Sequence, residues 1–272
     1  MGKSTTNDMT VGSPVKLIIQ FMIPMCLGNI FQQFYNIADS IIAGQFIGVN
    51  ALAAIGSTGS LMFFVTGWLN GLTSGFAILV SQLFGAKKYD EMRHYVAMSI
   101  YLTAAFTIAM TVGFEIANAP ILRMMNTPDE VIGDVIKYMA IIYAGLIVTA
   151  AYNALSSFLR ALGDSKSPLY FLIISALLNI VLDIVFIVCF GMGVEGCAYA
   201  TVIAQGISAL LCLVYIKKKM PLLHLEKKNF TVSVNSFKRL LALGIPMGLQ
   251  FSITAIGTII VQGAVNVYGA VH

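Results

Sequence analysis

Long apolar segments separated by short polar connections dominate the pattern of this chain. A seventh apolar run begins near Leu240 and continues to the last residue, His272. Before it lie six segments long enough to cross a bilayer core of about 30 Å as helices, at roughly residues 15–46, 52–82, 93–117, 132–158, 168–190 and 195–216. The strands of a membrane β-barrel are instead short, and apolar and polar residues alternate along them. The pattern therefore predicts an all-α polytopic membrane protein.

Composition supports the same class. Of the 272 residues, 58% are hydrophobic and only 10% are charged, whereas soluble domains carry about 25% charged residues. The net charge of +4 does not indicate a nucleic-acid partner, because nearly all charged residues lie between the apolar segments. The expected surroundings are a lipid bilayer.

The basic residues predict the topology. Of the 16 lysines and arginines, all but Arg123 and Lys137 fall in the N-terminal segment, in the loops after spans two and four, or in the connector after span six. Cytoplasmic loops are the ones that carry an excess of lysine and arginine. We therefore expect a cytoplasmic N-terminus and a cytoplasmic connector.

An internal repeat suggests the domain organisation. VKLIIQFMIPM (15–25) can be laid over FKRLLALGIPM (237–247), with Ile-Pro-Met intact in both, although so short a match can also arise by chance. We expect a cytoplasmic segment, a six-helix lobe, a basic solvated connector and the start of a second, truncated lobe. Their expected bounds are 1–14, 15–216, 217–237 and 238–272. A complete protein would then have twelve spans, and the chain is expected to be a fragment.

One polar stripe interrupts the first span. Asn29, Gln32, Asn36 and Asp39 step by three, four and three residues, so they share one face of a helix. A carboxylate inside a membrane helix costs about 2.5–3.5 kcal/mol on insertion scales and normally marks a functional site.

A second deep carboxylate lies in span five. Asn179 and Asp183 are four residues apart and share a face, and Thr201 lies in span six. Such groups often only link helices by hydrogen bonds. Two buried carboxylates repel one another, however, so a cation or a proton is expected to neutralise them. With Asp39 these residues supply only oxygen ligands, which suits a hard cation or a proton and not a transition metal.

The sequence gives little support for a cysteine metal site, a phosphate-binding loop or a catalytic site. The cysteines lie in or beside apolar segments without metal-type spacing, and we interpret them as small hydrophobic residues; they are Cys26, Cys189, Cys197 and Cys212. There is no phosphate-binding Gly-Lys-Ser/Thr loop and no nucleophile–base constellation. We expect neither an enzyme nor a cofactor.

Several motifs in order resemble the multidrug and toxic compound extrusion (MATE) transporters, in particular their DNA-damage-inducible-protein-F-like branch. The resemblance covers residues 10–216 and continues into a second half. The motifs are IADSIIAGQFIGVNALAAIGSTGS (37–60), GFAILVSQLFGAKK (75–88), SSFLRALGDSKSPL (156–169), LLNIVLDIVFI (177–187) and GCAYATVIAQ (196–205).

The resemblance implies two six-helix lobes around a central cavity in the cell membrane. It implies export of organic cations or other drugs by antiport with Na⁺ or H⁺, and the residues alone do not choose between these two ions. The cation site of the first lobe would consist of Asp39, Asn179, Asp183 and Thr201. Pro24 would bend the first span when that site changes state.

The resemblance also indicates cavity residues. Tyr35, Asn36 and Asn153 match positions that line the cavity, and Gln32 lies on the same stripe as Asn36. A lipid-precursor flippase-like protein, or a non-transporting subunit whose polar groups are structural, is the alternative. Basic residues deep in the spans would favour a flippase, and the sequence has none there.

Overall fold

Eight α-helices account for most of residues 12–266, the part of the chain that the computed structural model describes. Residues 1–11, which include Lys3 and most of the predicted N-terminal segment, and residues 267–272 lie outside the described part. The helices are α1 (Pro14–Phe46), α2 (Val49–Gly85), α3 (Tyr89–Met124), α4 (Asp129–Ala144), α5 (Leu146–Ala161), α6 (Lys166–Ile184), α7 (Val194–Lys219) and α8 (Val234–Asn266).

The helices confirm the prediction of an all-α multi-pass membrane protein. Six of the described helices are long and apolar enough to cross a membrane. The predicted fourth span differs, because it consists of α4 and α5, which meet at Gly145 with a bend of 48°. A Cβ atom at Gly145 would collide with the side chain of Val202. The close approach of α7 therefore requires glycine at this bend.

Helix α1 lies at the edge of the bundle, where it packs mainly against α6. Its buried residues are only Pro24, Asp39, Ile42 and Ala43. The helix continues through Pro24, which has no backbone N–H to donate to the preceding turn. Helix α1 is thus buried at Pro24, about three turns from its start, and along one turn near its C-terminal end.

Two glycines of α2 bring α8 into backbone contact. A Cβ at Gly71 would lie 2.5 Å from the carbonyl oxygen of Met247, and one at Gly75 would lie 2.6 Å from the Cα of Gly244. Gly244 and Gly248 of α8 have the same spacing of four residues. Small residues at this spacing allow helices in membranes to pack closely.

The connector differs from the solvated linker that the sequence predicts. It contains two short 3₁₀ turns, at Pro221–Leu223 and Lys227–Phe230, and it packs against the start of α3. The Nε of Arg93 donates to the Leu222 carbonyl oxygen over 3.1 Å. The ring of His94 is within hydrogen-bond distance of the Asn229 carbonyl oxygen (3.1 Å) and of the Ser236 hydroxyl (2.9 Å). This side of the connector is docked, while its lysines remain exposed.

Replacing His94 should loosen this docking. His94→Ala removes two hydrogen bonds that together contribute about 1–3 kcal/mol, so local opening of the connector should rise by roughly fivefold or more. Limited trypsinolysis at Lys227 and Lys228, followed by mass spectrometry, measures this opening. His224→Ala is the matched control, because the His224 ring hydrogen-bonds to the nearby Lys217 carbonyl and not to α3 in the described part of the chain. Equal cleavage rates in the two variants would contradict the docking role.

Candidate cation site

Three buried side chains from three helices meet in the bundle. A carboxylate oxygen of Asp39 on α1, a carboxylate oxygen of Asp183 on α6 and the Sγ of Cys197 on α7 all lie within 4.8 Å of one another. Asp39 is 6% exposed, and both Asp183 and Cys197 are 0% exposed. This group is called the acidic cluster below.

The packing of α6 and α7 explains why the side chains meet. Directly after Asp183 the chain changes from α-helix to a π-helical turn, Val185–Cys189, a feature that is frequent at functional sites. At the start of α7, a Cβ on Gly196 would lie 3.1 Å from the Cβ of Met192 and 3.2 Å from that of Phe186. Glycine at this position lets α7 begin close to the end of α6, which brings Cys197 near Asp183.

Hydrogen bonds join the acidic cluster to its neighbours. With the amide orientation that satisfies both neighbours, Asn179 donates to Asp183 Oδ2 over 3.1 Å and accepts from the Thr201 backbone N–H over 3.2 Å. The hydroxyl of Tyr35 donates to Thr201 Oγ1 over 3.0 Å. Tyr35 therefore links α1 to α7 one turn away from Asp39.

The carboxylates retain unused acceptor atoms. Asp39 Oδ1 and Asp183 Oδ1 are both buried without a hydrogen-bond partner, and neither residue takes part in an ion pair formed within residues 12–266. A buried carboxylate oxygen that has no partner is disfavoured. The arrangement can accept a cation or a proton at these oxygens.

The structure brings most of the predicted site residues together. Asp39, Asn179, Asp183 and Thr201 are in one cluster, and Tyr35 joins it through Thr201.

Three predicted cavity residues lie elsewhere. Gln32 and Asn36 are exposed on α1, and Asn36 lines a groove of about 520 Å³ that reaches Leu52 of α2. Asn153 is half-buried in α5, and no hydrogen bond between described side chains connects it to the acidic cluster.

Cys197 is the site residue that sequence reasoning missed. The sequence indicates that Cys197 is a small hydrophobic residue, and the predicted ligands are oxygen atoms only. The available signal was spacing, since Cys197 and Thr201 are four residues apart and share a face of α7. The cluster contains a sulfur atom beside its oxygens.

Together the helices and the acidic cluster define a multi-pass membrane protein with a buried carboxylate pair. A family model, MatE, matches residues 24–185, which is more than half of the chain. The chain belongs to the MATE family, whose members are transporters and not enzymes.

Known relatives agree with this assignment. The chain is 32% identical over 268 residues to the probable multidrug resistance protein YpnP of Bacillus subtilis (strain 168), covering 96% of this chain and 58% of the relative. It thus spans little more than half the length of that curated relative. Two solved structures, of MATE in the bent and in the straight conformation, superpose with TM-scores of 0.84 and 0.81. Each is 26% identical, and the match covers 92% of this chain and 55% of the solved chain.

Proposed function

We propose that this chain supplies the cation-coupling lobe of a secondary active multidrug exporter, which expels organic cations or other drugs by antiport with Na⁺ or H⁺. The observation that carries the proposal is the pair of unpartnered, buried oxygens of Asp39 and Asp183. The relative described as a probable multidrug resistance protein supports the same activity. Asn179 and Thr201 complete the coupling site.

Binding of a cation would change the attachment of α1. Without it, two carboxylates face one another in a low-dielectric environment and repel. A bound Na⁺ or H⁺ reduces this repulsion, so Asp39 can pack closely against α6. Because α1 is buried at so few positions, a change at Asp39 can reposition the whole helix. One charge that moves inward across 100 mV supplies about 2.3 kcal/mol.

Pro24 is the proposed hinge of this movement. It removes one backbone hydrogen bond within α1 and borders a cavity of about 530 Å³ that extends to the turn between α5 and α6, near Ser165. A bend of α1 at Pro24 toward this cavity would therefore not collide with packed side chains. Two solved MATE structures are described as a bent and a straight conformation, so a protein of this fold adopts two conformations.

Pro24→Ala should slow export and leave cation binding intact. Alanine restores the backbone hydrogen bond that proline lacks, which makes bending of α1 costlier. Initial export rates in vesicles and equilibrium Na⁺ binding to the purified protein measure the two effects. Pro246→Ala is the control, because it makes the same change in α8, where the proline is exposed. An unchanged export rate for Pro24→Ala would overturn the hinge.

Tyr35→Phe should weaken cation binding moderately. The substitution keeps the ring and removes the 3.0 Å hydrogen bond to Thr201, which contributes about 0.5–1.5 kcal/mol. We therefore expect the Kd for the coupling ion to rise by roughly 2- to 12-fold. Tyr170→Phe, at an exposed position of α6, should leave the Kd unchanged. If Tyr35→Phe bound the coupling ion with an unchanged Kd, Tyr35 would not be part of the cation site.

The substrate is proposed to bind beside α1. Gln32 and Asn36 present amides on its exposed face, and Asn153 on α5 together with Tyr35 is proposed to complete the cavity lining. A second six-helix lobe, which would begin at residues 238–272, is the expected partner across this cavity.

The proposed orientation in the cell membrane places the N-terminus in the cytoplasm. The connector and the turn between α2 and α3 occupy the same end of the bundle, because Lys228 Nζ lies 4.0 Å from Asp90 and Arg93 contacts Leu222. Lys137 lies in α4 instead, where it pairs with Glu195 over 3.4 Å. The clustered basic residues support a cytoplasmic position for the connector end.

Imposed gradients test the proposed activity. The chain, together with the second lobe that the proposal requires, is reconstituted into liposomes loaded with a fluorescent organic cation, and an inward Na⁺ gradient or an inward pH gradient is applied separately. Export that depends on one of the two gradients is the expected result and identifies the coupling ion. Export that is equally slow with both gradients and without either would overturn the proposal.

A further inference from the structure

The sulfur atom in the acidic cluster changes which cations the site can hold. Hard cations such as Na⁺ prefer oxygen ligands, whereas thiolate ligands favour softer ions. Zn²⁺ and ions of its class are bound by combinations of cysteine sulfur and aspartate oxygen. The Sγ of Cys197 lies within 4.8 Å of both carboxylates.

We propose that Asp39, Asp183 and Cys197 form a binding site for a thiophilic divalent cation of the Zn²⁺ and Cd²⁺ class, and that this cation competes with the coupling ion. The inference rests on the proposed cation site, because it uses the same two carboxylates. It adds a ligand and an inhibitory ion class to that site.

The geometry is close to what such an ion requires. Around a tetrahedral Zn²⁺ the ligand atoms lie about 3.3–3.8 Å apart, since each bond is about 2.0–2.3 Å long. The ligand atoms of the acidic cluster lie within 4.8 Å of one another. Side-chain adjustments of roughly 1 Å would therefore close the shell. A water molecule would take the fourth position, as in other sites with three protein ligands.

Burial and charge favour the same occupant. All three side chains are at least nine-tenths buried, and one oxygen of each carboxylate has no hydrogen-bond partner. A divalent cation cancels two of the three negative charges that two carboxylates and a thiolate carry, while Na⁺ cancels one. Coordination requires the thiolate, so binding releases the thiol proton to solvent. The bound divalent ion would hold α1 against α6 and α7 and so block exchange with the coupling ion.

The other cysteines allow a controlled test. Cys26 and Cys189 are exposed and could bind Cd²⁺ on their own, so both are replaced by serine in the background protein. Cys212 is also on α7 and fully buried, but it lies in an apolar core with Phe158 and Leu159. Cys212→Ala is therefore a matched control for Cys197→Ala.

Cd²⁺ titration of the purified, chelator-treated protein tests the inference. Calorimetry gives the stoichiometry and Kd, and the ultraviolet charge-transfer band of a Cd–thiolate bond reports the sulfur ligand. We expect one ion per chain and a thiolate band in the background protein and in Cys212→Ala. Loss of even an outer-shell partner of a metal costs about 10- to 100-fold in affinity, so Cys197→Ala should bind at least about tenfold more weakly and lack the band.

The outcome is separable from that of the proposed function. Equal Cd²⁺ affinity in Cys197→Ala and the background protein, or no thiolate band in either, would overturn the inference while export coupled to Na⁺ or H⁺ could still be measured. If the thiolate band requires Cys197 but the protein shows no coupled export, the divalent-cation site would be supported and the proposed antiport activity would be overturned. Cys197→Ser, which keeps the size of the side chain, should behave like the alanine variant if the protein remains folded.

Discussion

Asp39→Asn is expected to abolish coupled export and to leave the protein folded in the membrane. Asparagine keeps the size and shape of the side chain but removes the charge that faces Asp183. Truncating one partner of a buried charge interaction costs about 2–5 kcal/mol, so affinity for the coupling ion should fall by roughly 30-fold or more. Export should drop to the level of vesicles without protein.

A matched control separates charge at the site from charge in the bundle. Glu115→Gln makes the same chemical change on α3, where the carboxylate is exposed, and should export like the unmodified protein. Asp183→Asn should resemble Asp39→Asn. Near-normal export in Asp39→Asn would mean that the polar groups of the spans only link helices, as in a non-transporting subunit.

Gly75→Leu is expected to detach α8 from α2 and to destabilise the protein strongly. A Cβ at this position would lie 2.6 Å from both the Cα of Gly244 and the Leu243 carbonyl oxygen. Because these are backbone atoms, they cannot rotate away as a side chain could. Overpacking usually costs about 1–3 kcal/mol, and we expect the upper end of this range or more. Thermal unfolding in detergent, followed by size-exclusion chromatography, measures the loss.

Glycines elsewhere in α2 provide the comparison. Gly59 lies in the same helix, and a Cβ there would meet nothing within 4 Å, so Gly59→Leu should be tolerated. Gly71→Leu should behave like Gly75→Leu, since its Cβ would lie 2.5 Å from the Met247 carbonyl oxygen. If all three variants unfolded at the same temperature, the glycine contact would not hold α8 in place.

The apolar pattern predicts the spans because the length of a crossing is set by the bilayer and by the rise of the helix. It does not predict the 48° bend at Gly145, since the side chain that requires glycine there, Val202, belongs to another helix. The docking of the connector was missed for the same reason. His94 and Asn229 are far apart in the sequence, and nothing local marks them as partners.

The candidate site was partly predictable from helical faces. The spacing of Asn179 and Asp183, together with the cost of buried charge, identifies oxygen ligands and predicts that a cation or a proton neutralises the two carboxylates. The sequence does not predict Cys197 as a site residue, because a cysteine in an apolar helix usually behaves as a small hydrophobic residue. Its place on the same helix face as Thr201 and its distance from the two carboxylates distinguish it from Cys212.

Direct measurement of ion binding tests whether Asp39 and Asp183 form the coupling site. Equilibrium binding of radioactive Na⁺ to the purified protein, together with proton release or uptake on addition of a transported organic cation, is measured for the unmodified protein, Asp39→Asn and Glu115→Gln. We expect the unmodified protein and Glu115→Gln to bind Na⁺, or to exchange protons with the drug, and Asp39→Asn to do neither. Ion binding that is the same in all three proteins would contradict this assignment.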